Sequence, residues 1–371
     1  MKELPLLTGE ALSAIATPLV AWYRANARPL PWRANATPYH VWLSEVMLQQ
    51  TRIEVVKPYY ARFIAAAPTV AALADLSDEQ LLKLWEGLGY YSRARNLKRA
   101  AQAVIERHNG EMPRTYEELL ALPGIGEYTA GAIASIAYGL PVPAVDGNVL
   151  RVVARLTGDR ADVLDPATKK RITAALAVVY ATTPDPASLT QGLMELGEVV
   201  CVPNRIPECA ACPLATLCRA REEESYTEIP YRAPKKAKKP TYKLVLLLCD
   251  STGRYAVHRR PEEGLLAGLW ELPSIDLPNG RVEEDAALDA LAREFCLSHG
   301  LTPAESVAAP DARHIFTHLV WHMQARYVNV EVTEKADPAL RFVSPRELKT
   351  AYALPSAFRA YTRVIYREGS G

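Results

Sequence analysis

The sequence has almost no net charge and no long apolar segment. Its 43 Lys and Arg residues against 42 Asp and Glu give +1, so charge alone identifies no class of partner. The longest uncharged stretch, residues 128–145, is interrupted by Pro141 and Pro143, which excludes a membrane span. The start, Met1-Lys2-Glu3, lacks a basic segment followed by an apolar run, so no signal peptide is predicted. We therefore expect a cytoplasmic protein with no membrane partner.

Cysteine is scarce, with 6 in 371 residues, which excludes a disulfide scaffold. Four of them form the pattern Cys201-x7-Cys209-x2-Cys212-x5-Cys218. Four thiolates in one short loop can bind an iron–sulfur cluster or a single Zn²⁺. Zinc sites usually pair two C-x-x-C units, and one is present here, so the spacing favours a cluster. The other two cysteines are predicted to be core residues: Cys249 and Cys296.

The pattern of apolar and polar residues changes once along the chain, from helical to mixed helix and strand. Hydrophobic residues at 49% and charged residues at 23% are typical of globular proteins, and the length suggests two or three domains of about 150 residues. Residues 10–225 have helical periodicity, and residues 230–240 are rich in Pro and Lys, as in a linker. After the linker, strands are predicted at Tyr242–Cys249, Tyr255–Arg259 and Leu319–Val332. Two further helices are predicted at 284–297 and 356–367. The prediction is an all-α region followed by an α+β domain.

A glycine-containing turn between two helical segments is a candidate phosphate site. Leu122-Pro-Gly124-Ile-Gly126 follows a capped helix and precedes another helix. Backbone N–H groups at such a helix N-terminus can bind a DNA phosphate, which sets position on DNA but not sequence preference. The alternative is an ordinary tight turn between helices.

A carboxyl group in an apolar helical segment is a candidate catalytic acid. Glu45 shares its helix face with Val41, Trp42 and Leu48. If that face is covered, the carboxylate is poorly solvated, its pKa rises, and it can act as a general acid. The alternative is that Glu45 faces solvent, because one helix does not reveal which of its faces is buried.

A second carboxyl, Asp146 in Val145-Asp-Gly-Asn148, directly precedes a helical run. The positive end of that helix would keep Asp146 ionised. Two carboxyls with opposite protonation states are what cleavage of a glycosidic bond through an oxocarbenium-like transition state requires. The alternative is that Asp146 or Asn148 is only a helix N-cap. The catalytic interpretation requires Glu45 and Asp146 to meet at one sugar.

The segment from Gly89 to Arg99 contains two tyrosines and four basic residues and no acidic residue. The segment includes Tyr90 and Arg93, and it is typical of a surface that contacts a nucleic-acid backbone and stacks on a base. A solvated helix face is the alternative.

Together these motifs resemble the adenine DNA glycosylase (MutY) family of helix-hairpin-helix glycosylases. The matching segments run through the helical region in order: Leu30-Pro-Trp-Arg33, Ser44–Thr51, Gly87–Tyr91, the hairpin, Val145–Asn148, Met194–Gly197 and the cysteine loop. The resemblance implies removal of adenine mispaired with 8-oxoguanine after the adenine is flipped out of double-stranded DNA. It also implies a 4Fe-4S cluster, and we expect a monomer.

The resemblance also implies domains and residue roles. Residues 1–229 would be the catalytic region, with a six-helix subdomain at 38–140 and a cluster-bearing subdomain from 1–37 and 141–229. Residues 230–240 would be the linker and 241–371 a Nudix-like domain. Glu45 would protonate adenine and activate water, Asp146 would stabilise or trap the sugar cation, and Tyr128 and Asn148 would position both carboxyls. The remaining implied contacts are with adenine (Arg28, Leu30, Trp32, Arg33, Glu195), the base stack (Leu48, Gln50, Tyr90) and phosphate (Gly124, Gly126).

Two positions depart from related patterns. Bifunctional relatives resembling endonuclease III carry a lysine at position 128, which attacks the sugar and leads to strand cleavage. Tyr128 therefore predicts a monofunctional glycosylase that leaves an abasic site. The family usually has six residues between its first two cysteines, whereas Cys201 and Cys209 enclose seven.

Residues 241–371 resemble a Nudix domain that lacks its metal ligands. Where Nudix hydrolases carry a Glu-Glu pair, this chain has Leu297 and Ser298. Without those carboxylates a Mg²⁺ site loses its ligands, so Nudix hydrolysis is not expected. The resemblance implies that Phe316, Thr317 and His318 contact 8-oxoguanine; the alternative is that they belong to the sheet core.

Features of the sequence oppose three functions other than adenine excision. An endonuclease III-like glycosylase and lyase is opposed by Tyr128 and by the additional domain. A non-catalytic DNA-damage binding protein is opposed by the presence of both carboxyls. A nucleotide pyrophosphatase is opposed by the missing Nudix ligands.

Overall fold

The computed structural model describes residues 12–234 and 237–368. Its contacts divide the chain into two compact units. The N-terminal unit contains the residues up to Leu76 together with Arg95–Pro234, and the C-terminal unit contains Ser77–Ala94 together with the chain after Pro234. The division falls inside the predicted linker, and Ser77–Ala94 groups with the C-terminal unit although the sequence assigned it to the helical region. The predicted absence of a signal peptide concerns residues outside the described part.

From residue 12 to residue 222 the chain folds into helices joined by turns and loops. In chain order they are α1 (Ala16–Asn26), α2 (Pro31–Ala34), α3 (Pro38–Leu48), α4 (Ile53–Ala66), α5 (Val70–Asp75), α6 (Asp78–Trp85), α7 (Ser92–His108), α8 (Tyr116–Leu120), α9 (Glu127–Ala132), a π-helix (Ile133–Ala137), α10 (Gly147–Thr157), α11 (Pro166–Thr182), α12 (Pro186–Val199) and α13 (Arg219–Glu222).

Several helix starts occur where local chemistry predicts them. Asp165 and Asp185 accept backbone hydrogen bonds at the N-caps of α11 and α12, each before a proline at the first helical turn. Ser77 and Gln80 form a capping box at the start of α6. Local capping chemistry therefore determines where these three helices begin.

The core of the N-terminal unit forms around α10 and α12. On α10 the side chains of Val149, Val152 and Val153 are at most 1% exposed. Leu189 and Leu193 of α12 belong to the same apolar cluster. Burying each such side chain contributes about 1.5–3 kcal/mol. This core fixes the N-terminus of α10, where Asp146 lies.

The C-terminal unit contains a seven-stranded mixed sheet with the main order β3-β2-β1-β6-β5. Its strands are β1 (Lys239–Asp250), β2 (Tyr255–Arg259), β3 (Trp270–Glu271), β4 (Ser274–Asp276), β5 (Leu301–Ile315), β6 (Leu319–Val332) and β7 (Arg341–Val343). Helix α14 (Asp285–Ser298) lies between β4 and β5, and α15 (Pro345–Thr350) and α16 (Arg359–Glu368) follow β7. The three predicted strands and both predicted helices are confirmed.

The central strands of this sheet are covered on both faces, which explains their nearly continuous apolar sequence. On β1, Leu244, Leu246 and Leu248 pack in the cluster that contains α14, while Val245 and Leu247 pack in the cluster that contains α16. β1 runs parallel to β6 over its whole length, and β5 pairs antiparallel with β6. Helices followed by this α+β domain confirm the predicted fold class.

Among the helices of the described ranges, none combines the length and apolar character needed to cross a bilayer.

Candidate active site

One cavity of about 650 Å³ in the N-terminal unit brings together residues from five separate parts of the sequence. It is lined by both predicted catalytic carboxyls and by most of the predicted contact residues: Glu45, Asp146, Tyr128, Asn148, Arg28, Leu30, Trp32, Arg33, Glu195, Leu48 and Gln50. The condition that Glu45 and Asp146 open on one cleft is therefore met by the geometry.

Glu45 is buried together with the central part of its helix. Within α3, the residues from Val41 to Met47 are all buried, and Glu45 itself is 7% exposed. Burial removes water from the carboxylate and is the main reason that the pKa of Glu45 is raised to about 7; the charge of Asp146 also raises it, whereas the hydrogen bond from Tyr128 lowers it. A carboxyl with such a pKa carries its proton in a large fraction of molecules at neutral pH.

Tyr128 lies in the first turn of α9, after the hairpin glycines. Its hydroxyl donates a hydrogen bond to Oε2 of Glu45. Burial raises the pKa of Tyr128 well above its ordinary value, and the nearby carboxyls raise it further. The phenol therefore stays protonated and acts as a donor to Glu45. The hairpin thus places a hydrogen-bond donor beside the candidate acid.

Asp146 is the N-cap of α10 and also faces the cavity. Its Oδ1 accepts a hydrogen bond from the N–H of Val149 at 2.8 Å, and its Oδ2 accepts one from Nδ2 of Asn148 at 3.0 Å. Burial raises the pKa of Asp146, while these hydrogen bonds oppose the rise. The capping and catalytic interpretations of this residue are therefore compatible.

The two carboxyls differ in the support given to their charged forms. Glu45 lies in the middle of a buried helix and accepts from Tyr128, whereas Asp146 accepts from a helix N-terminus and from Asn148. Donors at a helix N-terminus favour a carboxylate. Asp146 is therefore the group that ionises first, and its negative charge helps to keep the proton on Glu45.

A third carboxyl, Glu195 of α12, is held by two arginines. NH2 of Arg28 donates to its Oε2 at 3.1 Å, and NH2 of Arg33 donates to the same oxygen at 2.7 Å. Although burial raises the pKa of Glu195, these hydrogen bonds hold it below its ordinary value. The result is a fixed, charged acceptor on the cavity wall.

Sequence reasoning missed part of the cavity wall. Three further residues of α12, Gln191, Met194 and Glu198, line the cavity beside Glu195. Their spacing of three and four residues puts them on one helix face with Glu195, which is the signal that could have identified them. Arg52, at the start of α4, lines the cavity as well.

The cysteine loop is tied to the site by a buried arginine. NH2 of Arg151, which is 3% exposed, donates to Oδ1 of Asn148 and to the carbonyl of Gly197, each at 2.8 Å. Its Nε donates to the carbonyl of Cys201 at 2.8 Å. The same side chain therefore supports Asn148 and fixes the first residue of the cysteine loop.

The four predicted ligand cysteines line one small cavity together with Arg155. NH1 of Arg155 contacts Sγ of Cys201 at 3.3 Å. In the described ranges no group of three or more His, Cys, Asp or Glu side chains is positioned to hold a metal ion. The donor set, four sulfurs around a common space, fits the thiolates that an iron–sulfur cluster takes. The predicted core cysteines, Cys249 and Cys296, are buried as expected.

The hairpin glycines differ in how strictly glycine is required. Gly124 has φ +73°, and a Cβ there would lie 2.4 Å from Cβ of Asn96. Gly126, the N-cap of α9, has φ −94° and open space around it. Gly124 therefore allows the close approach of α7, while Gly126 leaves the helix N-terminus uncovered.

Two residues predicted to enter the base stack adopt left-handed backbone conformations. Gln50, which follows α3, has φ +59°, and Tyr90, in the C-terminal unit, has φ +48°. Such conformations in non-glycine residues concentrate at functional sites. Both side chains are exposed.

The interpretation of Arg93 as part of an exposed basic patch is wrong. Arg93 is 8% exposed, and its NH2 donates to the carbonyls of Leu88 and Gly89 at 3.2 and 3.1 Å. Burial lowers the pKa of Arg93 to about 10. The guanidinium lies over the rings of Trp85 and Tyr90, so this cation holds its own loop together.

The residues expected to contact the lesion lie at the turn between β5 and β6. The N–H of Phe316 donates to the carbonyl of Leu319 at 2.9 Å, so Thr317 and His318 form the exposed tip. Phe316 packs edge-to-face on Trp321, with ring centroids 4.9 Å apart. The core interpretation therefore applies to Phe316 and not to the two tip residues.

Comparisons with known proteins agree with this arrangement. Residues 43–180 match the family described as HhH-GPD superfamily base excision DNA repair protein, and residues 244–363 match the NUDIX domain. A human protein named adenine DNA glycosylase is 34% identical over 411 residues, covering 94% of this chain and 74% of that protein.

A second relative and a solved structure are also similar to this chain, each over part of its length. The Arabidopsis thaliana protein of the same name is 35% identical over 359 residues, and the aligned part spans 56% of its length. The solved structure of a thermostable thymine-DNA glycosylase superposes with a TM-score of 0.51 at 26% identity, covering 58% of this chain and 98% of that one.

Proposed function

Because this chain belongs to the adenine DNA glycosylase family, we propose that it excises adenine mispaired with 8-oxoguanine or guanine and leaves an abasic site. The observation that carries the proposal is the pair Glu45 and Asp146 on one cavity, with Glu45 buried, Asp146 half-buried and the two differently hydrogen-bonded. Membership in the family confirms the resemblance predicted from the sequence. Double-stranded DNA containing the mispair is the proposed substrate.

Excision begins with transfer of the Glu45 proton to a ring nitrogen of the flipped adenine. The bond between the sugar C1′ and adenine N9 then breaks, and its electron pair leaves with the base. Asp146 stabilises the positive charge that develops on the sugar, or forms a bond to C1′. Glu45, now a carboxylate, accepts a proton from the water that attacks C1′, and this returns the residue to its starting state.

Adenine specificity is assigned to the cavity wall that contains Glu195. The two arginine hydrogen bonds fix its carboxylate, which accepts from an exocyclic amine of the base. Leu30 and Trp32 supply apolar surface for the ring, and Arg28 and Arg33 complete the wall. A guanine in the same orientation offers a carbonyl where adenine has its amine, so its oxygen would meet the carboxylate.

Recognition of the opposite base is assigned to two groups of residues. Leu48 and Gln50 border the cavity where the base leaves the stack, and Tyr90 is the stacking residue of the loop before α7. At the β5–β6 turn, Thr317 and His318 offer hydrogen-bonding groups for 8-oxoguanine, with Phe316 beneath them. Gly124 and Gly126 hold a DNA phosphate.

A 4Fe-4S cluster is proposed at Cys201, Cys209, Cys212 and Cys218. Its four irons would each take one thiolate, and the bound cluster would cross-link the loop between α12 and α13. Its support for catalysis is indirect, through Arg151, which contacts both the loop and Asn148. The seven-residue spacing after Cys201 places the additional residue in the loop between Pro203 and Pro207.

The alternatives meet specific obstacles. A lyase needs an amine where Tyr128 donates to Glu45. In the C-terminal unit, Leu297 and Ser298 lie exposed at the end of α14 and offer no carboxylate for Mg²⁺. A monomeric, cytoplasmic protein remains our prediction.

The direct test is incubation with four duplexes: adenine opposite 8-oxoguanine, adenine opposite guanine, adenine opposite thymine, and an oxidised pyrimidine. We expect cleavage of the first two after hot alkali only, with the first preferred. Cleavage without alkali would support the lyase, and binding without any cleavage would support the non-catalytic alternative.

A further inference from the structure

The segment Ser77–Ala94 is attached to the C-terminal unit by an ion pair whose two members also bind the backbone. Nζ of Lys83 contacts Oε2 of Glu86 at 2.7 Å. The same Nζ donates to the carbonyl of Tyr352 at 3.0 Å, and Oε1 of Glu86 accepts from the N–H of Leu354 at 2.9 Å. We call Lys83 and Glu86 the clamp.

The clamp differs from an ordinary surface ion pair. The side chains are 22% and 29% exposed, compared with 36% and 77% for the pair of Lys57 and Glu54 at the same spacing. Hydrogen bonds that join a charged group to backbone are roughly twice as strong as neutral ones. The backbone that the clamp holds is itself fixed, since the N–H of Trp270 donates to the carbonyl of Ala353 at 3.3 Å.

Beyond the clamp, the segment forms a hydrogen-bonded loop that leads to Tyr90. Nε1 of Trp85 donates to the carbonyl of Gly89 at 3.1 Å, and the guanidinium of Arg93 donates to the same carbonyl. Gly89 has φ +71°, which lets the chain turn sharply before Tyr90. Glu86 is therefore joined to Tyr90 through a short loop whose Gly89 carbonyl accepts two hydrogen bonds.

The loop meets the C-terminal unit again at the predicted lesion contact. The hydroxyl groups of Tyr90 and Thr317 are hydrogen-bonded at 2.9 Å. The segment is thus attached at two points, the clamp at its base and Tyr90 at its tip. An exposed hydrogen bond between two hydroxyls contributes only about 1 kcal/mol, so its geometry depends on what holds the rest of the loop.

We propose that Lys83 and Glu86 are positioning residues that set the preference for 8-oxoguanine over guanine opposite adenine. They do so by holding Tyr90 at the distance from Thr317 at which both can meet the same base. This inference rests on the proposed function, because it assumes that the opposite base is recognised. Neither residue of the clamp lines the catalytic cavity.

The test measures single-turnover excision over a series of protein concentrations, on duplexes with adenine opposite 8-oxoguanine and opposite guanine. In Glu86→Ala and Lys83→Met, we expect the half-saturating concentration for the 8-oxoguanine duplex to rise about tenfold, the effect of losing one charge-assisted hydrogen bond. The plateau rate on both duplexes and the half-saturating concentration for the guanine duplex should stay within about twofold of the wild type. Lys83→Arg, which keeps a donor, should restore most of the preference.

Two controls separate positioning from general destabilisation. Glu54→Ala, in the exposed pair of the same spacing, should leave the preference unchanged. In a double-mutant cycle, Glu86→Ala should have a smaller effect in a Tyr90→Phe background, because the hydroxyl through which the clamp acts is already absent. Fully additive effects would contradict the proposal.

The possible failures can be distinguished. An unchanged preference in both clamp variants, with normal thermal unfolding, overturns this inference and leaves the proposed function intact. An equal loss on both duplexes also overturns it. If the wild-type protein excises no adenine from either duplex, the proposed function fails first.

Discussion

The hydroxyl of Tyr128 donates to Oε2 of Glu45 across 83 positions of sequence. This hydrogen bond joins the residue after the hairpin to the buried carboxyl of α3, on the wall of the cavity that Asp146 also faces. The hydrogen bond lowers the pKa of Glu45, because a donor stabilises the charged form of a carboxyl group. It therefore opposes the effect of burial, which raises that pKa. Tyr128 therefore limits how high that pKa rises.

Tyr128→Phe should move the pH dependence of excision upward. Without the hydroxyl, the pKa of Glu45 loses a lowering contribution, so the falling limb of the pH–rate profile should shift by about one unit to higher pH. Single-turnover rates between pH 5.5 and 9 measure this. Tyr138→Phe is the matched control, since that hydroxyl donates to the carbonyl of Met112 at 2.8 Å and lies outside the cavity lining. A shift to lower pH would contradict the assignment.

Glu45→Gln should stabilise the protein above neutral pH. The folded-state pKa of about 7 exceeds the ordinary value of 4.5, so the folded state binds the additional proton and the wild type loses stability as pH rises between these values. The variant has no such loss, and its advantage should grow to about 3 kcal/mol above pH 7. Urea unfolding of both proteins at pH 4.5, 6 and 8 tests this; equal differences at all three would argue against a buried carboxyl.

The two hairpin glycines should respond differently to a methyl group. Gly124→Ala introduces a Cβ 2.4 Å from Cβ of Asn96 at φ +73°, so we expect unfolding to become easier by about 2–4 kcal/mol. Gly126→Ala meets nothing within 4 Å at φ −94°, and its stability should change by less than about 1 kcal/mol. Thermal unfolding of the pair decides between these values, and equal losses would show that the close approach to α7 is unimportant.

The wild-type protein should not be trapped on DNA by sodium borohydride during turnover. Trapping requires a Schiff base between an amine and the sugar, and position 128 carries a phenol that is engaged with Glu45. Denaturing gel electrophoresis of the reaction detects any covalent complex. Efficient trapping on the adenine–8-oxoguanine duplex would contradict the monofunctional mechanism.

The sequence predicted elements whose signals are local. Helices with N-caps at Asp165 and Asp185 and the apolar strand β1 are identified by neighbouring residues alone. Strand β5 was missed because its exposed residues do not alternate cleanly with buried ones and because it contains Pro303 and Pro310. It forms a strand because it pairs with β6, and the residues of β5 alone do not indicate that pairing.

The sequence could predict the site only where the type of a residue by itself limits the chemistry that its side chain can perform. Which face of α3 is covered depends on distant elements, so the burial of Glu45 could only be one of two alternatives. The position of Arg93 was predicted wrongly because a basic residue close to two tyrosines gives the same sequence pattern whether it faces DNA or its own loop. The docking of Lys83 against Tyr352, 269 residues away, has no sequence signal at all.

The central claim is that Glu45 acts as the protonated member of a carboxyl pair with Asp146. Its most direct test is the pH dependence of the single-turnover excision rate on the adenine–8-oxoguanine duplex, in the wild type and in Glu45→Gln. We predict a rate that falls about tenfold per pH unit above a midpoint near 7, and a loss of at least about 10²-fold in the variant with DNA binding retained. A wild-type rate that stays constant from pH 6 to 9, or a variant that excises adenine at the wild-type rate, would contradict it.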